Sequence, residues 1–499
     1  MGNVHHFGAV GDGQADDSAA LEHALEAGDG VLKLGKGTYR ITRTLEVDLT
    51  KQGYGAVLGE GGTSRIVMEG SGPAIRLIGD HQGTAQPNSY QPHTWEKERF
   101  PTIQDVEILG RHPEAVGIEL RKTTKTVISR VLVRECLHGI QLVERNRDFI
   151  LSDSHLLNNH AFGLFFDHCN LHQIIVHGNH ISWNKKAGIR TIDGDVHNLQ
   201  ITGNDIEYNN HPGVDESPGG EPTGAEIWFE ATSGVISEVT IASNTIQATI
   251  QPGGANIRIW GSPDAEMESN RLVAITGNVL GSQERGIELK HGKRITISGN
   301  TIYDSRELSV LMEDCSGFAI GANTFVWRSD ADAPLQDGLK FVRCQSGTLT
   351  GLQSEHLCYG TPEHGGGITL EECRDITIGH CQVLDPEVRG IELRDCVRCR
   401  VSSNSIVDRR QPPRMLEAIR LTGNCRDNLI DNNMVGGARR VAIEVGKGEA
   451  QGWPSRRDTA ALVRQPCGQR HHSTGGEAEE HHGYGGADYK ENREHGAVR

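Results

Sequence analysis

A Gly-Ile-x-Leu segment, or a close variant of it, recurs along this chain at Gly117, Gly139, Gly163, Gly188, Gly224, Gly254, Gly286, Gly338, Gly367 and Gly390. Weaker copies follow at Ala418 and Ala442. The shortest intervals are 22 to 25 residues, and the longer ones read as the same unit carrying a loop insertion. A fixed period of this length marks a unit that cannot bury its apolar face alone and must stack on its neighbours. Within each copy the apolar residues alternate: in Gly286-Ile-Glu-Leu-Lys290, Ile287 and Leu289 point one way while Glu288 and Lys290 point the other. Period two is a strand. The expected fold is therefore all-β, a single right-handed parallel β-helix of about 13 coils over residues 1–445, with Ile287, Leu289, Ile391 and Leu393 inside.

Two further columns share this register. An Asn precedes an apolar pair at Asn179, Asn204, Asn244, Asn300, Asn323 and Asn404. Asn tolerates the left-handed backbone of a tight corner, and its amide can bond to the equivalent Asn one coil away. Cys315, Cys344, Cys373, Cys396 and Cys425 follow their strands at intervals of 29, 29, 23 and 29 residues, as a stacked ladder of small soft groups inside the coils would. Cys136, Cys169, Cys358, Cys381 and Cys399 fall outside that column. An odd total of 11 cysteines with no CxxC pair favours reduced, structural thiols over a disulfide framework or a zinc ribbon.

A solenoid must cap its ends, because open strand edges pair with other chains. Asp16 or Asp17 can cap a short helix over residues 17–27 that carries Ala20, Leu21, Ala24 and Leu25 on one face, with Val31–Leu34 and Tyr39–Thr42 as first strands, so that residues 1–45 form the cap and its first coil. The stretch Phe7-Gly-Ala-Val-Gly-Asp-Gly-Gln-Ala-Asp-Asp-Ser-Ala-Ala-Leu21, followed by Gly37-Thr-Tyr-Arg-Ile41, resembles the opening motif of the pectate-lyase-like β-helix superfamily. That superfamily also holds rhamnogalacturonase-like and epimerase-like proteins and phage tailspikes. The resemblance implies the fold and a carbohydrate ligand; the matched residues are capping elements.

Chemistry on such a scaffold is assembled from outward side chains of successive coils, about 4.8 Å apart. The stretch from Gly188 to Lys293 is the most charged, and its three inter-copy spacings of 36, 30 and 32 residues supply loops to wall a groove. Arg258, Lys290, His291, Glu226 and Glu288 are the candidate catalytic residues there. Glu226 and Glu288 lie two coils apart, about 9.6 Å between backbones, near the upper limit for an inverting carboxylate pair, which keeps a glycoside hydrolase open. Elimination on a uronic acid instead needs a cation to neutralise the carboxylate and a base for the adjacent proton. Asp193, Asp195 and Glu230 could hold Ca²⁺, with Arg258, Lys290 or His291 as base and acid; no organic cofactor is indicated. Trp228 and Trp260 could offer apolar faces to sugar rings, with Arg190 and His197 as further substrate contacts. The alternation of Glu226, Arg258 and Glu288 in sign is equally that of an ion-pair ladder.

The Asn-Thr-Asp, Asp-Asp, Gly-His-Gly and Arg-Ile-Lys motifs of polygalacturonase-like hydrolases are absent from the coils, and the sole Asp-Asp pair is in the cap. Lys290-His291-Gly292 is similar to a basic-His-Gly step of calcium-dependent alginate and chondroitin lyases, without the lysine and double-Glu pattern that accompanies it there. The expected activity is β-elimination of an acidic polysaccharide. A hydrolase, a C5-epimerase and a non-catalytic, tailspike-like glycan binder are the alternatives, the last consistent with a homotrimer.

With 50 basic against 66 acidic residues and a formal charge of −16, the chain should repel nucleic acid and anionic membranes. No run of 18 apolar residues and no leader are present, so the chain reads as cytoplasmic unless an export signal has been removed, in which case extracellular or periplasmic. Gly79–Phe100, with Tyr90, Trp95 and Phe100, is an insertion expected to lean over a groove or meet a neighbouring subunit. From Gly446 to Arg499 the period is lost and disorder is expected; the pairs His471-His472 and His481-His482 there could bind metal adventitiously.

Overall fold

The computed structural model describes residues 3–53, 55–210, 224–264, 266–327 and 336–446, so all but the first residue of the expected tail lies outside the described residues. The chain winds into an all-parallel β-solenoid of about 15 turns, two more than the expected 13, because coils such as those of Leu45–Asp48, Gly72–Ile78 and Leu308–Glu313 lack the Gly-Ile-x-Leu signature. Each turn has three faces. The first is built by the repeat segments themselves, such as Ala225–Ala231, Ala255–Gly261 and Arg285–Lys290. The second follows at once, as in Asp195–Thr202, Val235–Ala242 and Asn270–Thr276. The third is a stack of mostly three-residue strands such as Asp205–Glu207 and Thr245–Gln247. In two coils the first and second faces are one unbroken strand, His138–Ser152 and Phe162–His177.

Inward aliphatic side chains from all three faces fill one continuous core, and Ile287, Leu289, Ile391 and Leu393 are fully buried in it. The N-terminal end is closed by a helix over Ser18–Ala27, whose Leu21, Ala24 and Leu25 are buried. Asp17 does not cap that helix with its side chain; its carboxylate accepts the backbone N–H groups of Val10 (2.6 Å) and Gly11 (3.1 Å) and pins the incoming loop instead. A strand at Asp12–Asp16, ahead of the helix, pairs with Gly37–Ile41.

The corners explain the polar columns. Asn179, Asn204, Asn244, Asn278, Asn300 and Asn323 form one buried ladder, in which each backbone N–H and side-chain amide from Asn179 to Asn300 donates to the Oδ1 of the next, at 2.9–3.0 Å. The left-handed residue is not the Asn but the one before it: Gly178, Gly203, Ser243, Gly277, Gly299 and Ala322 all have φ between 51° and 67°. Four of these six are glycine, which meets that conformation without Cβ strain. The thiols serve the same purpose. Cys315, Cys344, Cys373 and Cys396 each follow a left-handed residue and donate Sγ–H to the carbonyl two residues back, at 3.3–3.4 Å. Cys136 heads a second ladder, its N–H donating to Asn159 Oδ1, and Cys381 does the same onto Asn404. Burial pushes the Cys136 and Cys169 thiols up to about 12, and the ten described cysteines are all free.

The insertion leans on the coils of residues 115–150. Tyr90 is buried, stacks on His81 at 4.3 Å, and shares its hydroxyl with Thr124 and Lys125. Arg145 donates to the Gly83 carbonyl. Trp95 and Phe100 stay exposed, at 40% and 63%.

Candidate functional site

Glu226 does not face Glu288. The strand register aligns Trp228, Arg258 and Glu288 in one outward column, while Glu226 occupies the position that Gly188 holds one coil earlier. That position is turned into a corner, where a Cβ on Gly188 would sit 2.8 Å from the Asn209 amide. Glu226 fills it by ending the second ladder, which runs Asn159, Asn184, Asn209: its Oε2 accepts both the backbone N–H (3.1 Å) and the side-chain amide (2.6 Å) of Asn209. Complete burial raises its carboxyl well above the ordinary range, against the two N–H groups of Asn209 that favour the charged form. The carboxylate pair needed for hydrolysis is absent between these two residues.

Arg258 and Glu288 point outward yet are fully buried beneath the loops. Arg258 Nε donates to Glu288 at 2.9 Å, and its terminal nitrogens donate to the carbonyls of Gly224 and Gly253. Burial would raise the Glu288 carboxyl, but Arg258 and Arg285 beside it hold it below its usual value. The tryptophan faces are occupied: Arg190 lies over Trp228 at 3.9 Å, Arg258 lies near both indoles, and Lys290 is 5.2 Å from Trp260. Lys290 also reaches Glu313 at 3.0 Å, and Arg190 pairs with Glu230 at 2.5 Å. The expected groove on the first face is thus a closed stack of ions and rings.

An open groove does exist, one corner further on, where the first face turns into the second. Its volume is about 970 Å³, and His291, Lys293, Arg343, Arg374 and Arg426 line it together with Asp264, Glu268, Asp314, Glu372 and Asp395. Of the five candidate catalytic residues, His291 alone reaches it. Strand pairing shows that one line of this wall is basic. Arg147, His172, His197, Ser237, Arg271, Lys293, Ser316, Gln345, Arg374, Val397 and Arg426 are consecutive register partners, one per coil. Seven of the eleven positions are basic and none is acidic, in a chain of net charge −16. Ten strand spacings make the column about 48 Å long. Arg374 and Arg426 have no ion-pair partner among the described residues, whereas Arg343 is committed to Asp314 at 2.8 Å.

Asp193, Asp195 and Glu230 do not converge. Asp193 accepts the Ser233 N–H at 2.8 Å, Glu230 holds Arg190, and Asp195 instead lies between two imidazoles. Ca²⁺ takes six to eight oxygen ligands, so this set does not fit it. His197 and Asp195 are brought together, as members of the corner column and its neighbour, with His172 beside them. His172, Arg147, Arg271, Arg374 and Arg426 were missed in the sequence. A signal was there: Asn170-Leu-His172 and Asp195-Val-His197 repeat one pattern 25 residues apart, outside the Gly-Ile-x-Leu segment that draws the eye.

The sequence matches the family described as "Right handed beta helix region" over residues 46–206, 102–246 and 226–450, and the chain belongs to it. No curated protein matches the chain. Among solved structures, it is similar to the pre-mature gene product 12 of bacteriophage phi29, with 14% identity and a TM-score of 0.53 over 87% of this chain and 56% of that one. It also resembles the A-module of the mannuronan C-5 epimerase AlgE4 of Azotobacter vinelandii, with 16% identity and a TM-score of 0.40 over 90% and 98% of the two chains. For ORF18 of Geobacillus virus E2 the identity is 15% and the TM-score 0.43, over 68% of this chain and 60% of the length of that protein. At these identities the likeness is one of fold.

Proposed function

We propose that this protein acts on an acidic, uronic-acid-containing polysaccharide laid along the corner groove, and that it cleaves the chain by β-elimination. The basic column supports this reading. A column about 48 Å long on a rigid solenoid, carrying five lysine or arginine side chains and no acidic one, suits a polymer of repeating negative charge better than any small ligand. Elimination requires a base beside a group that neutralises the sugar carboxylate, and His291 lines the groove together with Lys293. In this assignment His291 takes the C5 proton, the C4–O bond breaks as the C4=C5 double bond forms, the leaving oxygen takes a proton from water, Lys293 steadies the carboxylate, and Arg374 and Arg426 hold the flanking sugars. Arg258 and Glu288 keep the groove's first-face wall in place.

The test is incubation with a panel of uronic-acid polymers, followed by the ultraviolet absorbance of unsaturated chain ends. The expected result is a rise with one polymer that His291→Ala abolishes while binding persists, and that Arg374→Ala weakens through affinity. Polymer retained with no product would make the protein a glycan-binding β-helix, and no retention of any polymer would end the reading. Inverted sugars in an uncut chain would assign an epimerase, which uses the same proton abstraction.

A further inference from the structure

We propose that His172, Asp195 and His197 form a binding site for a divalent transition-metal ion such as Zn²⁺ or Co²⁺. His172 and His197 are register partners on adjacent coils, and Asp195 lies two residues before His197 on the same outward face. One ligand atom from each of the three lies within 4.8 Å of the others. His197 Nε2 is 2.8 Å from Asp195 Oδ1, and His172 Nε2 is 3.6 Å from Asp195 Oδ2. The imidazoles stack with centroids 4.6 Å apart, so both rings present Nε2 to the same carboxylate. All three side chains are half-buried, which orders them and still leaves a path from solvent.

The surroundings are those of a ligand set. His197 Nδ1, the nitrogen turned away from Asp195, lies 3.5 Å from the Glu238 carboxylate. When a metal displaces the bond between Nε2 and Asp195, a carboxylate beside the far nitrogen can take the ring proton there, the arrangement common behind metal-bound histidines. Glu238 is itself held by the Asn198 amide at 2.8 Å, and Asp195 Oδ2 accepts the Asn170 amide at 2.8 Å. The nearby cation, Arg147, is turned onto the Asn170 carbonyl and side-chain oxygens. Two imidazole nitrogens and one carboxylate oxygen are borderline donors, which select Zn²⁺ and its first-row neighbours over the oxygen-seeking Ca²⁺ and Mg²⁺. Three protein donors leave a coordination position for water or a substrate oxygen, as open metal sites do.

The site stands independently of the glycan reading, and its test reads the metal directly. Full-length protein stripped with chelator, carrying His471→Ala, His472→Ala, His481→Ala and His482→Ala to remove the tail histidines, is titrated with Co²⁺ and followed by its visible ligand-field absorption. Parallel calorimetry uses Zn²⁺ and Ca²⁺. The expected outcome is one equivalent of Co²⁺ and of Zn²⁺, no Ca²⁺, and at least a tenfold loss of affinity in His172→Ala, His197→Ala and Asp195→Asn, with circular dichroism unchanged. Glu238→Gln should weaken binding less than any of the three. Absence of Co²⁺ binding, equal binding of Ca²⁺, or affinity untouched by the three substitutions would overturn the proposal. Polymer binding measured in chelator keeps its outcome apart from that of the groove.

Discussion

Substituting Glu288 by Gln should be among the most damaging single changes on the outer surface of the solenoid. Glu288 is fully buried and meets Arg258 at 2.9 Å, Arg285 at 3.2 Å, the Trp260 indole N–H at 3.2 Å and Lys290 at 3.8 Å. Gln keeps the shape and removes the charge. Arg258, itself fully buried, then keeps neutral acceptors only, the carboxamide oxygen and the carbonyls of Gly224 and Gly253, and no countercharge from residue 288. Stranding one partner of a buried pair costs about 3–5 kcal/mol, whereas an exposed pair is worth up to about 1 kcal/mol. Replacing both members, Arg258→Met with Glu288→Leu, removes the unpaired charge and should return stability to within about 1 kcal/mol of the parent. Coils contact chiefly their neighbours, so the loss should be local. Native-state hydrogen exchange is the assay: protection should fall in Ala255–Gly261 and Arg285–Lys290 and stay unchanged in the Ser18–Ala27 cap. Urea unfolding followed by tryptophan fluorescence gives a second readout, since Trp228 and Trp260 pack on the pair. If Glu288→Gln leaves protection within about 1 kcal/mol of the parent yet abolishes turnover of an acidic polymer, the pair belongs to the chemistry and the scaffold assignment is refuted.

Asn244→Leu should cost about 1–3 kcal/mol for each group it strands, because Asn244 accepts from Asn204 and donates to the Ile201 carbonyl and to Asn278; hydrogen exchange in the flanking coils checks this. The insertion should loosen as pH rises. Burial pushes the Glu98 carboxyl up to about 7, so the proton it shares with Asp80 favours the folded state below the unfolded value near 4.5 and is lost as pH passes about 7. Proteolysis within residues 79–100 should therefore be faster at pH 8 than at pH 5, and Glu98→Gln should remove the difference. Lys293→Glu together with Arg374→Glu should reduce affinity for an acidic polymer and flatten its dependence on salt, measured by titration at two ionic strengths, and an unchanged salt slope would take the column out of the binding surface.

The coils were legible because stacking imposes one demand at every turn. Ile287, Leu289, Ile391 and Leu393 had to point inward, and a two-residue period repeated every 22 to 25 residues says so without any knowledge of neighbours. The cap helix and the asparagine and cysteine columns were readable for the same reason: each solves a local hydrogen-bonding problem that recurs in place. Register and cover were not readable. Glu226 looked like an outward partner of Glu288, but the corner before each Gly-Ile step resets the alternation, so the residue at the glycine position turns inward and joins the ladder. Arg258 and Trp228 looked accessible because strand periodicity tells which face a side chain leaves from and nothing about the loops that fold over it. The corner column from Arg147 to Arg426 draws its members from eleven coils separated by unequal insertions. Only the paired backbones bring those residues into one line. Sequence alone settled what the interior must be, since burial acts on every coil alike; the tertiary structure decided which charges meet water, since that depends on where each unrepeated loop comes to rest.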